Sequence, residues 1–129
     1  MSKYQAKSFK NSAFYAIRGL RVAFRTQRNV KKHFNIMLVM FLIAIILKFD
    51  CLNFAILFLA SLTVIVTELF NSAIEFTLDA YYKNKFSNLV KMAKDISAGA
   101  VLLAACTNAL VFALLIIDKI LKNGLHFLT

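Results

Sequence analysis

Long apolar runs alternate with charged segments along the chain. Residues 34–49, 51–76 and 96–117 are predominantly apolar and contain uncharged stretches of 14, 17 and 22 residues. A helix needs about 20 residues, with a range of about 17–25, to cross the hydrocarbon core of a bilayer. The three segments are therefore predicted to be transmembrane helices, of which the first is short and relies on its flanking residues.

The first 33 residues have a different pattern. Apolar residues recur there at helical spacing: Phe9, Ala13, Phe14, Ile17, Leu20 and Phe24. The other sides of this predicted helix carry lysine and arginine, and the segment holds nine basic and no acidic residues. Such a pattern is typical of an amphipathic helix that lies in the membrane interface. A segment that only fixes the membrane topology is the alternative interpretation.

The composition excludes two classes of protein. Of the 129 residues, 60% are hydrophobic and 17% are charged, and the mean hydropathy is +0.70. Soluble domains contain about 45–50% apolar and about 25% charged residues, and disordered chains are more polar still. The sequence therefore predicts an all-α membrane protein, a single domain over 1–129, with an N-terminal surface helix over 1–33 and three transmembrane helices.

The net charge is +10, and most of the basic residues that cause it lie in segments predicted to be on one side of the membrane. Residues 1–33 carry nine basic side chains and the segment 77–95, predicted to be a loop, carries four, whereas the turn at 48–50 carries one. Cytoplasmic flanks of membrane helices are rich in lysine and arginine. The N-terminus and this loop are therefore predicted to be cytoplasmic and the C-terminus to lie outside. No nucleic-acid partner is expected, because these lysine and arginine residues form no known nucleic-acid-binding motif.

Polar side chains line one face of the second span at its cytoplasmic end. Glu68, Asn71, Ser72, Glu75 and Asp79 recur at helical spacing and share this face over about 16 Å. Carboxylates at this depth are costly and mark functional sites. They could bind Mg²⁺ through oxygen, and one could act as a general base. Alternatively, the glutamates pair with arginines of the surface helix and only hold helices together.

Basic residues precede the third span at the same membrane surface. Lys91 and Lys94 lie three residues apart, and Asp95 follows them. A helix N-terminus attracts anions through its unpaired N–H groups, and two lysines add positive charge there. Carboxylates for a metal and cations for phosphates indicate a metal–nucleotide site. The sequence has no P-loop and no kinase glycine-rich loop.

Two motifs at this surface carry a family resemblance. They are Glu68-x-x-Asn71-Ser72-Ala73-Ile74-Glu75-x-x-x-Asp79 and Ala93-Lys94-Asp95-x-x-Ala98-x-Ala100-Val101-Leu102. With the surface helix and three spans, they resemble the bacterial integral-membrane diacylglycerol kinase and undecaprenol kinase family. The resemblance implies a homotrimer in the bacterial plasma membrane with its sites between subunits at the cytoplasmic surface. It also implies transfer of the ATP γ-phosphate to a lipid alcohol, with Mg²⁺.

The resemblance implies roles for individual residues. Glu68 corresponds to the general base that takes the proton from the lipid hydroxyl, and Asn71 to the amide that orients the reacting groups. Glu75 corresponds to a ligand of the Mg²⁺ that bridges the ATP phosphates. The positions assigned to the nucleotide are Tyr15, Glu75, Asp79, Lys91, Lys94 and Asp95. Among them, Lys94 corresponds to the lysine that contacts phosphate.

The acceptor lipid and the class of protein are separate questions. The Gram-positive branch of the family, whose usual substrate is undecaprenol, is similar to this chain at Arg28-Asn29-x-Lys31, His33 and Lys91-x-Ala-Lys94-Asp95. Diacylglycerol is the alternative acceptor. A non-catalytic membrane protein, such as a holin or a helical adaptor, would also have three short spans and a basic terminus. It would not explain acids on one helix face beside lysines.

Polar residues also occur in the middle of the predicted spans. Ser61 lies within the second span and Asn108 within the third. Such side chains hydrogen-bond across helices in membranes. We expect these two residues to serve packing rather than chemistry.

Gln27 departs from the family pattern and leads to a first prediction. It precedes Arg28-Asn29 where the family has a glutamate that supplies a second metal carboxylate. Glutamine offers only a neutral carbonyl oxygen, so we expect Glu75 to be the main ligand and the Mg²⁺ requirement to be high. Gln27→Glu should therefore lower the Mg²⁺ concentration for half-maximal activity in a titration of the phosphoryl-transfer rate. An unchanged Mg²⁺ curve would show that Gln27 is not a metal position.

Overall fold

Four α-helices follow one another in the computed structural model, which describes residues 8–83, 85 and 87–125. The helices are α1 (Phe9–Thr26), α2 (Arg28–Ile46), α3 (Cys51–Tyr82) and α4 (Asn88–Leu125). The prediction of an all-α chain is thereby confirmed. Residues 1–7 of the predicted surface-helix region and residues 84 and 86 of the predicted loop lie outside the described residues.

Helices α2, α3 and α4 are each long and apolar enough to cross a membrane. All three include residues beyond the predicted spans, because an apolar run shows where a helix enters lipid and not where it ends. Helix α3 continues to Tyr82 and α4 begins at Asn88, so the segment 77–95 is largely helical rather than a loop. The 32 residues of α3 extend over about 48 Å, against a hydrocarbon core of about 30 Å. Its polar end can therefore project beyond the apolar core.

Helix α1 is separated from α2 by a single residue. The Ser8 hydroxyl caps its N-terminus by accepting from the backbone N–H of Asn11. Gln27 then adopts an extended conformation with φ −92° and ψ 112°, which breaks the helix before α2 begins. Helix α1 has no buried residue, and its Phe24 packs edge-to-face on Phe34 of α2. Its position in a membrane interface remains a prediction.

The reversal between α2 and α3 uses lysine where glycine is usual. The backbone N–H of Lys48 donates to the Ile45 carbonyl and that of Phe49 to the Ala44 carbonyl, each at 3.0 Å. This is the Schellman pattern, which requires a left-handed residue directly after the cap, and Lys48 has φ 53°. Asp50 then caps α3 by accepting from Asn53 N–H at 2.8 Å.

The core of the bundle joins all three long helices. Its buried apolar residues are Met40, Ala44, Phe49, Leu57 and Leu115. Beside them the buried Ser61 hydroxyl of α3 donates to Asn108 Oδ1 of α4 at 3.2 Å. The Asn108 amide also donates to Met40 Sδ of α2 at 3.6 Å. The predicted interhelical role of Ser61 and Asn108 is confirmed.

The outward faces of these helices are apolar. Leu42, Leu59 and Leu103, one from each long helix, are 60%, 63% and 72% exposed. In water such surfaces would cause aggregation, but hydrocarbon or another apolar protein surface covers them without cost. The surface of the bundle therefore suits a membrane.

The Lys48 conformation predicts a stabilising substitution. A left-handed conformation costs a residue with a Cβ about 1–2 kcal/mol, whereas glycine adopts it without this strain. Lys48→Gly should raise the free energy of unfolding in detergent by about 1 kcal/mol. Lys48→Ala removes the same charge but keeps the Cβ, so it should give no such gain. Equal stabilities for the two variants would contradict this explanation.

Candidate functional site

The polar face of α3 is buried at the end of the bundle where α3 meets the first turns of α4. Glu68, Asn71 and Ser72 are 3%, 6% and 3% exposed, while Glu75 and Asp79 are half-buried. Helix α4 packs along α3 in an antiparallel direction, which brings its first turns against this face. The residues predicted from spacing to share one face therefore line the inner side of one helix.

A chain of hydrogen bonds joins α4 to this face. The Ser97 hydroxyl donates to Asn71 Oδ1 at 2.6 Å, and the Asn71 amide donates to Glu75 Oε1 at 3.4 Å. Ser97 is buried and also lies 3.0 Å from the Lys94 carbonyl oxygen. Ser97 was not among the residues predicted to form the site. Its position two residues after the Lys94-Asp95 pair was the available signal, but its partner on α3 depends on how the helices pack.

An ion pair forms the second connection between the two helices. Lys94 Nζ lies 2.5 Å from Asp79 Oδ1, with both side chains about one-third to two-fifths exposed. The pair borders a cleft of about 400 Å³ that Lys91, Asp95 and Lys85 also line. Lys91 is in the first turn of α4, at the N-terminal end, where the helix dipole is positive. Four of the residues predicted to bind a nucleotide thus share one basic cleft: Asp79, Lys91, Lys94 and Asp95.

Glu68 has polar neighbours on two helices. Its carboxylate is close enough to interact with Glu75 on α3 and with the Asn29 side chain in the first turn of α2. The ion pairs found within residues 8–83, 85 and 87–122 join Lys94 to Asp79 and Lys122 to Asp118. In that part of the chain, no arginine of α1 therefore forms a salt bridge with Glu68 or Glu75.

An apolar groove of about 780 Å³ separates α1 from α3. Tyr15 and Gly19 line it from α1, and Leu69, Ser72 and Phe76 line it from α3. The Ser72 hydroxyl is buried and has no hydrogen-bond partner among the described residues. Tyr15, which was predicted to lie near the nucleotide, is therefore on this groove and not among the residues that line the basic cleft.

The donor atoms can be compared with what Mg²⁺ requires. Magnesium usually keeps several waters and is bound through one or two carboxylates plus substrate phosphates. No group of three or more acidic, histidine or cysteine residues suited to a metal occurs among the described residues. Glu68 and Glu75 provide two carboxylates on one face of α3, and the half-buried Gln27 makes no side-chain cap hydrogen bond. The chemistry of a carboxylate on this face fits a magnesium ion that substrate phosphates hold in part.

Most of this chain is similar to known proteins of one family. Residues 14–116 match the profile of the prokaryotic diacylglycerol kinase family. A diacylglycerol kinase of Synechocystis is 36% identical over 108 residues, which cover 84% of this chain and 62% of the relative. An undecaprenol kinase of Bacillus subtilis is 30% identical over 112 residues, which cover 87% of this chain and 90% of the relative. The match thus spans less than two thirds of the Synechocystis protein.

The ion pair between Lys94 and Asp79 predicts a small coupling energy. Partly exposed pairs are worth about 0.2–1 kcal/mol because water screens them. A double-mutant cycle with Asp79→Asn and Lys94→Met should therefore give a coupling of about 0.5 kcal/mol in the free energy of unfolding. The pair Lys122–Asp118 serves as a control outside the basic cleft. A coupling above about 2 kcal/mol would mean that the pair is effectively desolvated.

Proposed function

The chain belongs to the prokaryotic diacylglycerol kinase family, and on that premise we propose that it is a lipid kinase. It would transfer the γ-phosphate of ATP to the hydroxyl of a membrane lipid alcohol. The observation that carries this proposal is the buried Glu68–Asn71 face of α3 beside a basic cleft at the start of α4. A holin or an adaptor would need neither feature.

The acceptor hydroxyl requires a base, and we assign this role to Glu68. Its carboxylate would take the proton as the lipid oxygen bonds to the γ-phosphorus and the bond to the bridging oxygen of ADP breaks. Asn71 would orient the reacting groups from one helical turn away. The depth of Glu68 supports this assignment, because a lipid hydroxyl reaches the membrane interface while the acyl or isoprenoid chain stays in hydrocarbon.

The donor nucleotide carries several negative charges, and the basic cleft supports its binding there. Lys94 would contact phosphate and Lys91 would add positive charge in the first turn of α4. Asp79 and Asp95 would hold these lysines in place, as the existing pair of Asp79 with Lys94 suggests. Tyr15 is assigned to the nucleotide by family resemblance alone.

Mg²⁺ would enter with ATP, and Glu75 is the ligand we assign to it, with the Gln27 carbonyl as a weaker second donor. The ion would neutralise charge on the phosphates during transfer. Glu75 is suited to this role because Asn71 donates to one of its oxygens and leaves the other without a protein partner among the described hydrogen bonds.

We assign undecaprenol as the acceptor, with diacylglycerol as the second candidate. The Bacillus relative is an undecaprenol kinase and matches over 90% of its length, whereas the Synechocystis relative is a diacylglycerol kinase of which 62% is matched. The higher identity of the latter keeps diacylglycerol as a specific alternative. Supplying both lipids side by side to the purified protein, with ATP in excess, would separate the two acceptors.

The assembly and its orientation are also part of the proposal. Apolar side chains cover the outer faces of the bundle, and α1 buries no residue within its own chain. A homotrimer in the bacterial plasma membrane would cover part of these surfaces and complete each site with a neighbour. The N-terminus would lie in the cytoplasm and the C-terminus outside, an orientation that the basic N-terminal segment supports.

Removal of the proposed base gives the direct test of function. Glu68→Ala should reduce lipid-dependent ADP formation by about 10²–10⁴-fold, the usual contribution of a general base. Asp118→Asn, which changes an acid at the other end of α4, should keep the wild-type rate. A Glu68→Ala protein with full activity would exclude Glu68 as the base. A wild-type protein that forms no ADP with any lipid alcohol would contradict the lipid kinase itself.

A further inference from the structure

We propose that Ser97 is a positioning residue of the kinase reaction, which acts through Asn71 on the carboxylate of Glu75. This inference rests on the proposed function. Ser97 lies on α4, whereas Asn71 and Glu75 lie on α3.

The hydrogen bonds of Ser97 define the orientation of the Asn71 amide. A serine hydroxyl has one hydrogen to donate. Of its two acceptors, Asn71 Oδ1 at 2.6 Å is closer than the Lys94 carbonyl oxygen at 3.0 Å. Because the hydroxyl engages the oxygen of the Asn71 amide, the NH₂ group of that amide is turned the other way. It donates to Glu75 Oε1 at 3.4 Å.

Burial makes this arrangement restrictive. Ser97 is 8% exposed and Asn71 is 6% exposed, so bulk water does not readily replace either partner. Without the Ser97 hydroxyl, the Asn71 amide could rotate to satisfy its oxygen elsewhere, and its NH₂ group would no longer be held toward Glu75. Ser97 thus selects one orientation of an amide next to the assigned metal ligand.

Glu75 lies between two connections from α4. Asn71 is one helical turn before it and is held by Ser97, and Asp79 is one turn after it and is held by Lys94. These connections fix α3 against α4 on both sides of the carboxylate. The Ser97 hydroxyl is linked to Glu75 by hydrogen bonds through the Asn71 amide, whereas the Lys94–Asp79 ion pair has no such link to Glu75.

The chain contains a matched control for a purely structural role. Ser61 donates to Asn108 Oδ1 across the same two helices, at 3.2 Å and also buried. The chemical pair, serine hydroxyl to asparagine oxygen, is the same, but it lies in the middle of the spans. If Ser97 only joined α3 to α4, Ser97→Ala and Ser61→Ala would have the same consequences.

The experiment compares these variants of the full chain in detergent–lipid micelles. Ser97→Ala should lower kcat and raise the Mg²⁺ concentration for half-maximal activity by about tenfold, the usual effect of losing a residue that orients a metal ligand. The KM for the lipid should stay within about twofold, because Ser97 acts on the assigned Mg²⁺ ligand Glu75 and makes no hydrogen bond to the assigned base Glu68. Ser97→Thr keeps the hydroxyl and should restore the Mg²⁺ dependence.

A binding measurement separates positioning from loss of activity. The rise in Tm produced by Mg²⁺ with a non-hydrolysable ATP analogue should be smaller in Ser97→Ala than in the wild type and unchanged in Ser61→Ala. Equal Mg²⁺ dependence and equal Tm shifts in the two alanine variants would overturn the proposal, as would failure of Ser97→Thr to restore them. An inactive wild-type protein would instead contradict the proposed function.

Discussion

Burial of polar groups in an apolar bundle is the constraint on which this structure depends. Toward its C-terminal end, helix α3 carries an acid and two further polar residues that are almost fully buried, Glu68, Asn71 and Ser72. In hydrocarbon each unsatisfied polar group costs several kcal/mol, so partners must come from neighbouring helices. Helix α4 supplies a hydroxyl to Asn71, and α2 places Asn29 near Glu68. The packing of these helices is therefore coupled to the geometry of the candidate site.

The same constraint acts at two depths with different results. In the middle of the spans, Ser61 and Asn108 satisfy one another and Met40 completes the cluster, so the three long helices are tied together. At the end of α3 that carries Glu68, the contacts among the described residues leave polar groups incompletely paired: the Ser72 hydroxyl has no partner there, and one oxygen of Glu75 accepts from Asn71. Incomplete pairing among buried groups is expected where a substrate supplies the missing contacts.

Much of this arrangement follows from sequence pattern alone. The apolar runs predicted three long helices, and the spacing of Glu68, Asn71 and Glu75 predicted a shared face, because both depend only on helical periodicity. The helix ends were less predictable, since α3 and α4 continue as polar helices beyond the apolar runs and shorten the connection between them. Lys48 gave no signal of a left-handed turn, because glycine or asparagine is usual there. The Ser97–Asn71 bond was not predictable either, because it depends on the relative rotation of two helices.

According to the proposed function, this chain phosphorylates a lipid alcohol at the end of α3 that carries Glu68. The most direct test supplies purified protein in lipid vesicles with ATP labelled at the γ-phosphate and with undecaprenol or diacylglycerol. The label should appear on the lipid in a one-to-one ratio with ADP, and Glu68→Ala should reduce this transfer by about 10²–10⁴-fold. Label that appears only as free phosphate, or that stays in ATP with every lipid alcohol offered, would contradict it.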